Sequence, residues 1–225
     1  MFLLLLFFPL IAFSAPEWKA ELSLGPQTYA HQQTGKGIEF SEKTGSLKSF
    51  GFNVTKKVYQ FRFILDYNHT LLTIDRDDKS QNITVRQLVV GGYYRRFFFG
   101  VENTWNPYFF DNGKSSAELL TGQWLTVGYR MPVIDAQTRI FTDVMKLVAH
   151  SGSSDLVKDL GGYGALAGIE HWQRFSGSDQ TQAHWIWRIK AYYLYRKFDI
   201  NSSTSGAENL VTGQGVLSLN LGRLF

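Results

Sequence analysis

The sequence predicts an all-β protein: a transmembrane, antiparallel, up-and-down β-barrel of about ten strands, with eight or twelve as alternatives. Three observations favour this fold. Apolar and polar residues alternate along successive segments, the connections between segments are alternately short and long, and aromatic residues recur at matched spacings. A period of two puts one set of side chains on each face of a strand, as lipid-facing and lumen-facing residues require in a membrane barrel.

The amino-terminal segment is interpreted as a signal peptide over residues 1–15, followed by a single barrel domain over 16–225. Its apolar run is shorter than the roughly 20 residues of a transmembrane helix, and Ala12-Phe13-Ser14 fits a small-x-small cleavage site. Because no Lys or Arg precedes the run, either the α-amino group supplies the positive end or the true start lies upstream. The absence of Cys excludes a lipid-anchored lipoprotein and favours a bacterial envelope protein over a disulfide-rich secreted domain.

Ten strands follow in order. They are predicted at residues 17–29, 45–55, 59–68, 82–94, 97–105, 117–129, 137–149, 162–173, 183–198 and 207–225. The third has the clearest alternation. Tight returns are predicted at Lys56-Lys57 and Arg95-Arg96, and the polar stretches 31–43 and 75–79 are predicted to be loops. The sixth to eighth strands are weakly patterned, which leaves the strand count open.

The connections give an independent check on this layout. Those after the second, fourth, sixth and eighth strands are short, and the others are long, polar or both. Outer-membrane barrels have short periplasmic turns and longer extracellular loops. The pattern therefore predicts a bacterial outer-membrane location with both termini in the periplasm.

Aromatic residues bracket the apolar residues on the predicted outward faces. Eight residues rising about 3.3 Å each, tilted by roughly 40°, cover roughly 20 Å of the membrane normal. Two aromatic girdles at the lipid interfaces are therefore expected, with the inner face of a soluble β-sandwich or lipocalin-like barrel as the alternative. The candidate girdle residues are Tyr59, Tyr67, Phe97, Trp105, Tyr129, Trp185, Trp187, Tyr193 and Tyr195.

The last predicted strand sets Leu217, Leu219 and Leu221 on one face and ends on Phe225. This resembles the C-terminal assembly signal of bacterial outer-membrane β-barrels, although Arg223 departs from the usual aromatic or aliphatic residue. The resemblance implies a small, monomeric, porin-like barrel of the Gram-negative envelope. It also implies that outer-membrane lipid, lipopolysaccharide and, during insertion, the barrel-assembly machinery are its partners. No single family is identified.

Charged residues of both signs are predicted to face the lumen. They are Arg62, Asp66, Arg86, Glu102, Arg130, Glu170, Arg188 and Lys190. Because an unpaired buried charge costs several kcal/mol, these side chains are expected to pair and fill the lumen. The alternative is a pore, in which the excess of basic residues would weakly favour anions. Such a pore would be narrow, because ten strands lie nearer the filled eight-stranded barrel than the open sixteen-stranded one.

A structural or surface-interaction role is the preferred function. Lys146, Arg196 and Lys197 are candidates for contact with lipopolysaccharide phosphates. An omptin-like surface protease is a further alternative, because acidic and His residues occupy the predicted rim, but no nucleophile or metal motif orders them. No cofactor or metal is predicted. The formal charge of +4 is spread along the chain and does not suggest a nucleic-acid partner.

Overall fold

The computed structural model describes residues 17–35, 38–46, 49–76, 79–108, 118–133, 137–152, 160–175, 185–200 and 207–224. These residues form twelve strands: β1 Glu17–Leu24, β2 Gln27–Gly35, β3 Ile38–Ser46, β4 Ser49–Val58, β5 Phe61–Arg76, β6 Lys79–Tyr94, β7 Phe97–Tyr108, β8 Glu118–Pro132, β9 Thr138–Gly152, β10 Leu160–Phe175, β11 Trp185–Ile200 and β12 Ala207–Leu224. No helix in the described ranges is long and apolar enough to cross a membrane. The predicted signal peptide and Phe225 lie outside the described residues.

Ten of these strands close into a ring. Strand β1 pairs with β4 on one side and with β12 on the other, and β4 to β12 each pair with the next strand in the chain. All of these pairings are antiparallel. The predicted fold class is therefore confirmed as a closed antiparallel barrel of ten strands.

The remaining two strands form a hairpin that extends from the ring. Strand β2 continues along β12 beyond the end of β1, and β3 pairs with β2. The prediction of a loop over 31–43 was wrong for the described residues, because residues 31–35 pair with β12 and residues 38–43 pair with β2. Residues 75, 76 and 79 likewise belong to β5 and β6 rather than to a loop. Polar strands of this kind fit the ends of a barrel that project into water.

Gly25 and Pro26 separate β1 from β2 without interrupting contact with β12. The amide of Leu217 donates a hydrogen bond to the Pro26 carbonyl oxygen at 3.1 Å. A Cβ atom placed on Gly25 would lie 2.0 Å from the Leu217 carbonyl oxygen. Glycine is thus required for the close approach of the two backbones at the seam of the barrel.

Two tight turns define one end of the barrel, which we call the turn end. Tyr59–Gln60 joins β4 to β5, and Arg95–Arg96 joins β6 to β7. Tyr59 and Arg95 have φ values of 53° and 56°, in the left-handed region that non-glycine residues rarely adopt. The second turn was predicted correctly. The first was not, because Lys56 and Lys57 lie within β4.

The strands are strongly staggered around the ring. Following directly paired residues from Tyr163 on β10 through β9, β8 and the rest of the ring leads back to Phe175 on the same strand. Such a stagger requires the strands to tilt relative to the barrel axis. Residues at equal depth in the lumen therefore come from shifted positions along neighbouring strands.

Burial alternates along each strand of the ring. The outward side chains are apolar and exposed, as at Leu22 with 69% and Val144 with 64% exposure. The inward ones include Trp124 and Phe198, which are fully buried. The lumen is therefore where the protein packs its interior, and apolar side chains form a belt over most of its outer surface.

Candidate functional site

The lumen contains seven of the eight charged residues predicted to face it. Arg62, Asp66, Glu102, Arg130, Glu170, Arg188 and Lys190 all line its interior cavities. On each strand their positions alternate with those of the outward-facing apolar side chains. The alternation of the sequence thus brings these side chains together from β5, β7, β8, β10 and β11.

Arg86 was predicted to face the lumen, and this was wrong. It is exposed, and it lies between Gln87 and Val85, which are both buried. Its cross-strand partners are His69 on β5 and Trp105 on β7, and the His69 ring stacks on the exposed Phe50 at 4.7 Å. Directly opposed residues share a face, so Arg86 lies on the outer surface.

A first group of ion pairs joins β11 to β1 and to β10 near the turn end. Arg188 lies 2.9 Å from Glu21 and 3.2 Å from Glu170, measured between guanidinium nitrogen and carboxylate oxygen. Lys19 contacts Glu21 at 2.8 Å. Lys19 and Glu21 were absent from the predicted set, although their alternation with Trp18 and Leu22 puts them on the inward face.

A second ion pair connects β8 and β9. Arg130 donates two hydrogen bonds to Asp143, one of them 3.0 Å long between Nη2 and Oδ2. The guanidinium also lies 5.0 Å from the ring centroid of Phe141 and 5.3 Å from that of Phe98. Gly128 leaves room for this pair, since a Cβ there would lie 1.8 Å from Asp143 Oδ1. Asp143 was missed because the weak pattern of the seventh predicted strand gave it no assigned face.

The third ion pair crosses the lumen. Arg196 on β11 contacts Glu102 on β7, and both residues are nearly inaccessible, with 3% and 2% exposure. The Arg196 guanidinium also lies 5.2 Å from the ring centroid of Trp124. The prediction that Arg196 contacts lipopolysaccharide was therefore wrong, because its side chain points into the barrel rather than toward the membrane interface.

Large apolar side chains pack around this third ion pair. The group consists of Trp124, Phe141, Met145, Leu147, Leu166, Leu194, Phe198 and Leu210. The rings of Trp124 and Phe198 meet edge to face at 5.1 Å, and Trp124 Nε1 donates a hydrogen bond to Thr104 Oγ1 at 3.2 Å. We call these eight residues together with Glu102 and Arg196 the plug.

A polar cluster completes the packing beside the seam. Gln27 Oε1 accepts hydrogen bonds from Thr70 Oγ1 and Gln214 Nε2, each 2.7 Å long. Gln27 Nε2 donates to Ser49 Oγ at 2.5 Å. These uncharged residues lie on four different strands, so nothing in the sequence marks them as neighbours.

A cavity of about 360 Å³ occupies the lumen at the turn end, and we call it the chamber. Nine Lys or Arg side chains and two carboxylates, Glu21 and Glu170, line it. Both tight turns reach its wall through Gln60, Arg95 and Arg96. Deeper in the lumen the cavities shrink to about 60 and 20 Å³.

The chamber brings like charges together. Lys57 on β4 is directly opposite Arg62 on β5, and both line the chamber. Arg139 on β9 lies opposite Glu170 on β10, but the Glu170 carboxylate also contacts Arg188, so two cations are close to one carboxylate. Like charges directly opposed across a strand pair are destabilising. The chamber wall therefore carries more cationic side chains than carboxylates, even though its Arg130 is paired with Asp143.

The outer face carries eight of the nine candidate girdle residues. Tyr59 lies in a turn, and the other eight alternate with inward side chains on β5, β7, β8 and β11. Leu217, Leu219 and Leu221 of the predicted assembly signal are also exposed on this face. Arg223 joins them, with its guanidinium 6.0 Å from a ring centroid of Trp185.

Lys146 and Lys197 lie on the outer face on either side of Tyr163. Tyr163 is directly paired with Lys146 on β9 and with Lys197 on β11. Lys197 Nζ is 5.9 Å from the Tyr163 ring centroid and 3.2 Å from Asp199 Oδ1. Two of the three candidate lipopolysaccharide contacts therefore remain adjacent on the surface.

The acidic and His residues that the sequence places on the predicted rim are His69, Asp75, Asp77, Asp78, Asp111, His150 and Asp155. His69 lies on the outer face, where its Nδ1 atom and the Tyr67 hydroxyl are hydrogen-bonded at 3.4 Å. Asp77, Asp78, Asp111 and Asp155 lie outside the described residues. Within the described ranges, no three His, Cys, Asp or Glu side chains are grouped so as to hold a metal ion.

No family model matches the chain, and no curated protein matches it. Among solved structures, it is similar to Neisserial surface protein A, with 11% identity, 93% of this chain and 98% of that chain covered, and a TM-score of 0.32. It is also similar to the beta domain of the Bordetella autotransporter Brka, with 11% identity, coverages of 94% and 99%, and a TM-score of 0.30. For the P. putida toluene transporter TodX the identity is 9%, the coverages are 95% and 90%, and the TM-score is 0.26.

Proposed function

We propose that this chain is a monomeric bacterial outer-membrane β-barrel with a closed lumen, serving a structural or surface-interaction role. The exposed apolar belt supports the membrane location, because soluble monomers rarely expose apolar patches larger than a few hundred Å². Closure of the ring within one chain supports it further, since lipid tolerates no unpaired strand edge. The aromatic residues of the outer face would then form the two interfacial girdles.

The orientation follows from the ends of the barrel. Strand β1 begins and β12 ends at the turn end, where Lys19 is directly paired with Leu224. Short turns belong to the periplasmic side of outer-membrane barrels. In this proposal the turn end and both termini face the periplasm, and the assembly machinery recognises the last strand through Leu217, Leu219, Leu221 and Phe225.

The plug is the observation that supports a closed lumen. Fully buried Trp124 and Phe198 fill the lumen beside the Glu102–Arg196 pair, and the hydrogen-bonded Gln27 cluster packs beside the seam. An ion crossing here would have to displace packed apolar side chains or break a buried ion pair, which costs about 3–5 kcal/mol. We therefore place the narrow pore second.

Conductance across a planar bilayer tests the closed lumen. The purified, refolded chain should insert without producing steady current steps at moderate voltage and 1 M KCl. Trp124→Ala, which empties part of the plug, should produce steps, and Leu125→Ala, which changes the neighbouring outward residue, should not. Steady steps from the unmodified chain would establish the pore instead.

Contact with lipopolysaccharide is the surface interaction that the outer face favours. Lys146 and Lys197 offer two ammonium groups beside Tyr163, and charge-assisted contacts to phosphate suit such a position. Lys146→Ala with Lys197→Ala should weaken lipopolysaccharide binding in a detergent-based assay. Lys56→Ala serves as the control, because Lys56 lies against Trp18 near the turn end, 4.6 Å from the ring centroid. Equal binding by all three proteins would exclude this contact.

A further inference from the structure

We propose that the chamber is a binding site for a small soluble organic phosphate, separate from the structural role of the barrel. Its volume of about 360 Å³ falls in the range of small-molecule sites, which run from about 300 to 1,000 Å³. A cavity of this size admits a phosphate monoester with a compact organic body, and the plug closes the lumen beyond it.

The charge of the wall selects an anion. Arg62 and Arg139 line the chamber, and neither forms an ion pair within the described part of the chain. Arg62 also faces Lys57 across the strand pair. A dianion between these groups would relieve their repulsion, and guanidinium groups bind phosphate oxygens through paired hydrogen bonds.

The uncharged part of the wall suits an organic body. Tyr93 and Trp172 line the chamber together with Ile64 and Ile186. Clefts that combine apolar and aromatic walls with a few convergent charged groups are typical ligand sites. An aromatic phosphate monoester therefore matches the wall better than inorganic phosphate, which would use only the cationic side chains.

Calorimetric titration of the refolded full chain in nonionic detergent tests the proposal, with phenyl phosphate as the probe. We expect saturable binding at one site, weaker binding of inorganic phosphate, and no binding of phenol. Raising the NaCl concentration should weaken the affinity, because salt screens the attraction. Absence of saturable heat with phenyl phosphate would overturn the proposal.

Two variants assign the binding to the chamber. Arg62→Gln with Arg139→Gln should reduce the affinity for phenyl phosphate at least tenfold, whereas Arg86→Gln, which removes the same charge from the outer face, should leave it unchanged. A heat-dependent gel shift checks that each variant is folded. Equal affinity in the double variant and the unmodified chain would overturn the assignment.

A measurement on the unmodified chain keeps the proposal testable if the double variant does not fold. Phenyl phosphate should raise the thermal unfolding midpoint in a concentration-dependent way, since a ligand that binds only the folded state stabilises it. NaCl at equal ionic strength should not. Equal shifts from phenyl phosphate and NaCl would show a general salt effect and overturn the proposal.

Discussion

The two halves of the lumen handle buried charge in opposite ways. In the plug, one cation and one anion, Arg196 and Glu102, form a single pair surrounded by Trp124 and other apolar side chains. The wall of the chamber, a cavity of about 360 Å³, carries nine cationic side chains and only two carboxylates, and one of the cations, Arg130, is paired with Asp143 outside the wall. A matched pair can be enclosed, whereas unmatched charge must keep access to water or to a counter-anion. The plug, with its matched charges, is therefore the part of the lumen that seals the barrel. The chamber, with its excess of cations, is the part that is able to bind a ligand.

The largest expected effect is at the buried ion pair of the plug. Glu102→Ala leaves the Arg196 guanidinium enclosed without its carboxylate, and it should lower the free energy of unfolding by about 3–5 kcal/mol. Urea unfolding in detergent or lipid, followed by tryptophan fluorescence, measures the change. A loss below about 1 kcal/mol would mean that Arg196 reaches water, and the plug would then not be sealed.

A smaller loss is expected from the apolar part of the plug. Leu194 is 1% exposed within the apolar cluster, and Leu194→Ala should cost about 3 kcal/mol through lost burial and a new cavity. The matched control is Leu219→Ala on the outer face, where lipid fills the space and the cost should be nearer 1 kcal/mol. Equal losses measured in the same unfolding assay would remove the distinction between packed lumen and lipid-facing surface.

The smallest effect is expected in the chamber. Arg62→Gln removes a cation that faces Lys57, so the free energy of unfolding should change by less than about 0.5 kcal/mol or rise slightly. The same urea titration measures it. A loss comparable to that of Glu102→Ala would indicate that Arg62 is held in a structural ion pair, and the contrast between the two halves would disappear.

The barrel itself could be predicted from the sequence because a period of two is local. Phe61, Phe63 and Leu65 alternate with Arg62 and Ile64 in the printed sequence, and the structure exposes the first set and turns the second inward. Closure then follows from the need to pair every backbone group in lipid. Strand ends were less predictable, because pairing with β12 extends β2 through residues with no apolar pattern.

The two misplaced arginines show where the site prediction failed. Arg86 is an even number of positions from Leu88 and Val90, so it belongs to the outward face. Arg196 shares its parity with Arg188 and Lys190, so it belongs to the lumen. In both cases the parity of the position along the strand was the reliable signal, and for Arg196 the position near a strand end was misleading.

Other parts of the site could not be predicted from the sequence. The Glu102–Arg196 contact joins β7 to β11, and the depth at which two such residues meet depends on the stagger of the whole ring. The sequence does not display that stagger, since it arises from the registers of ten strand pairs. The chamber has the same origin, because its cationic wall is collected from strands and turns spread over most of the chain.

The most direct test of the contrast is the reactivity of single cysteines, since the chain has none of its own. Ile64→Cys places a thiol in the wall of the chamber, and Thr104→Cys places one beside Trp124 in the plug. With an anionic methanethiosulfonate reagent on the folded protein, we predict rapid modification at position 64 and protection at position 104 until the barrel is unfolded. Equal rates at the two positions would contradict a lumen that is open at the turn end and sealed beyond it.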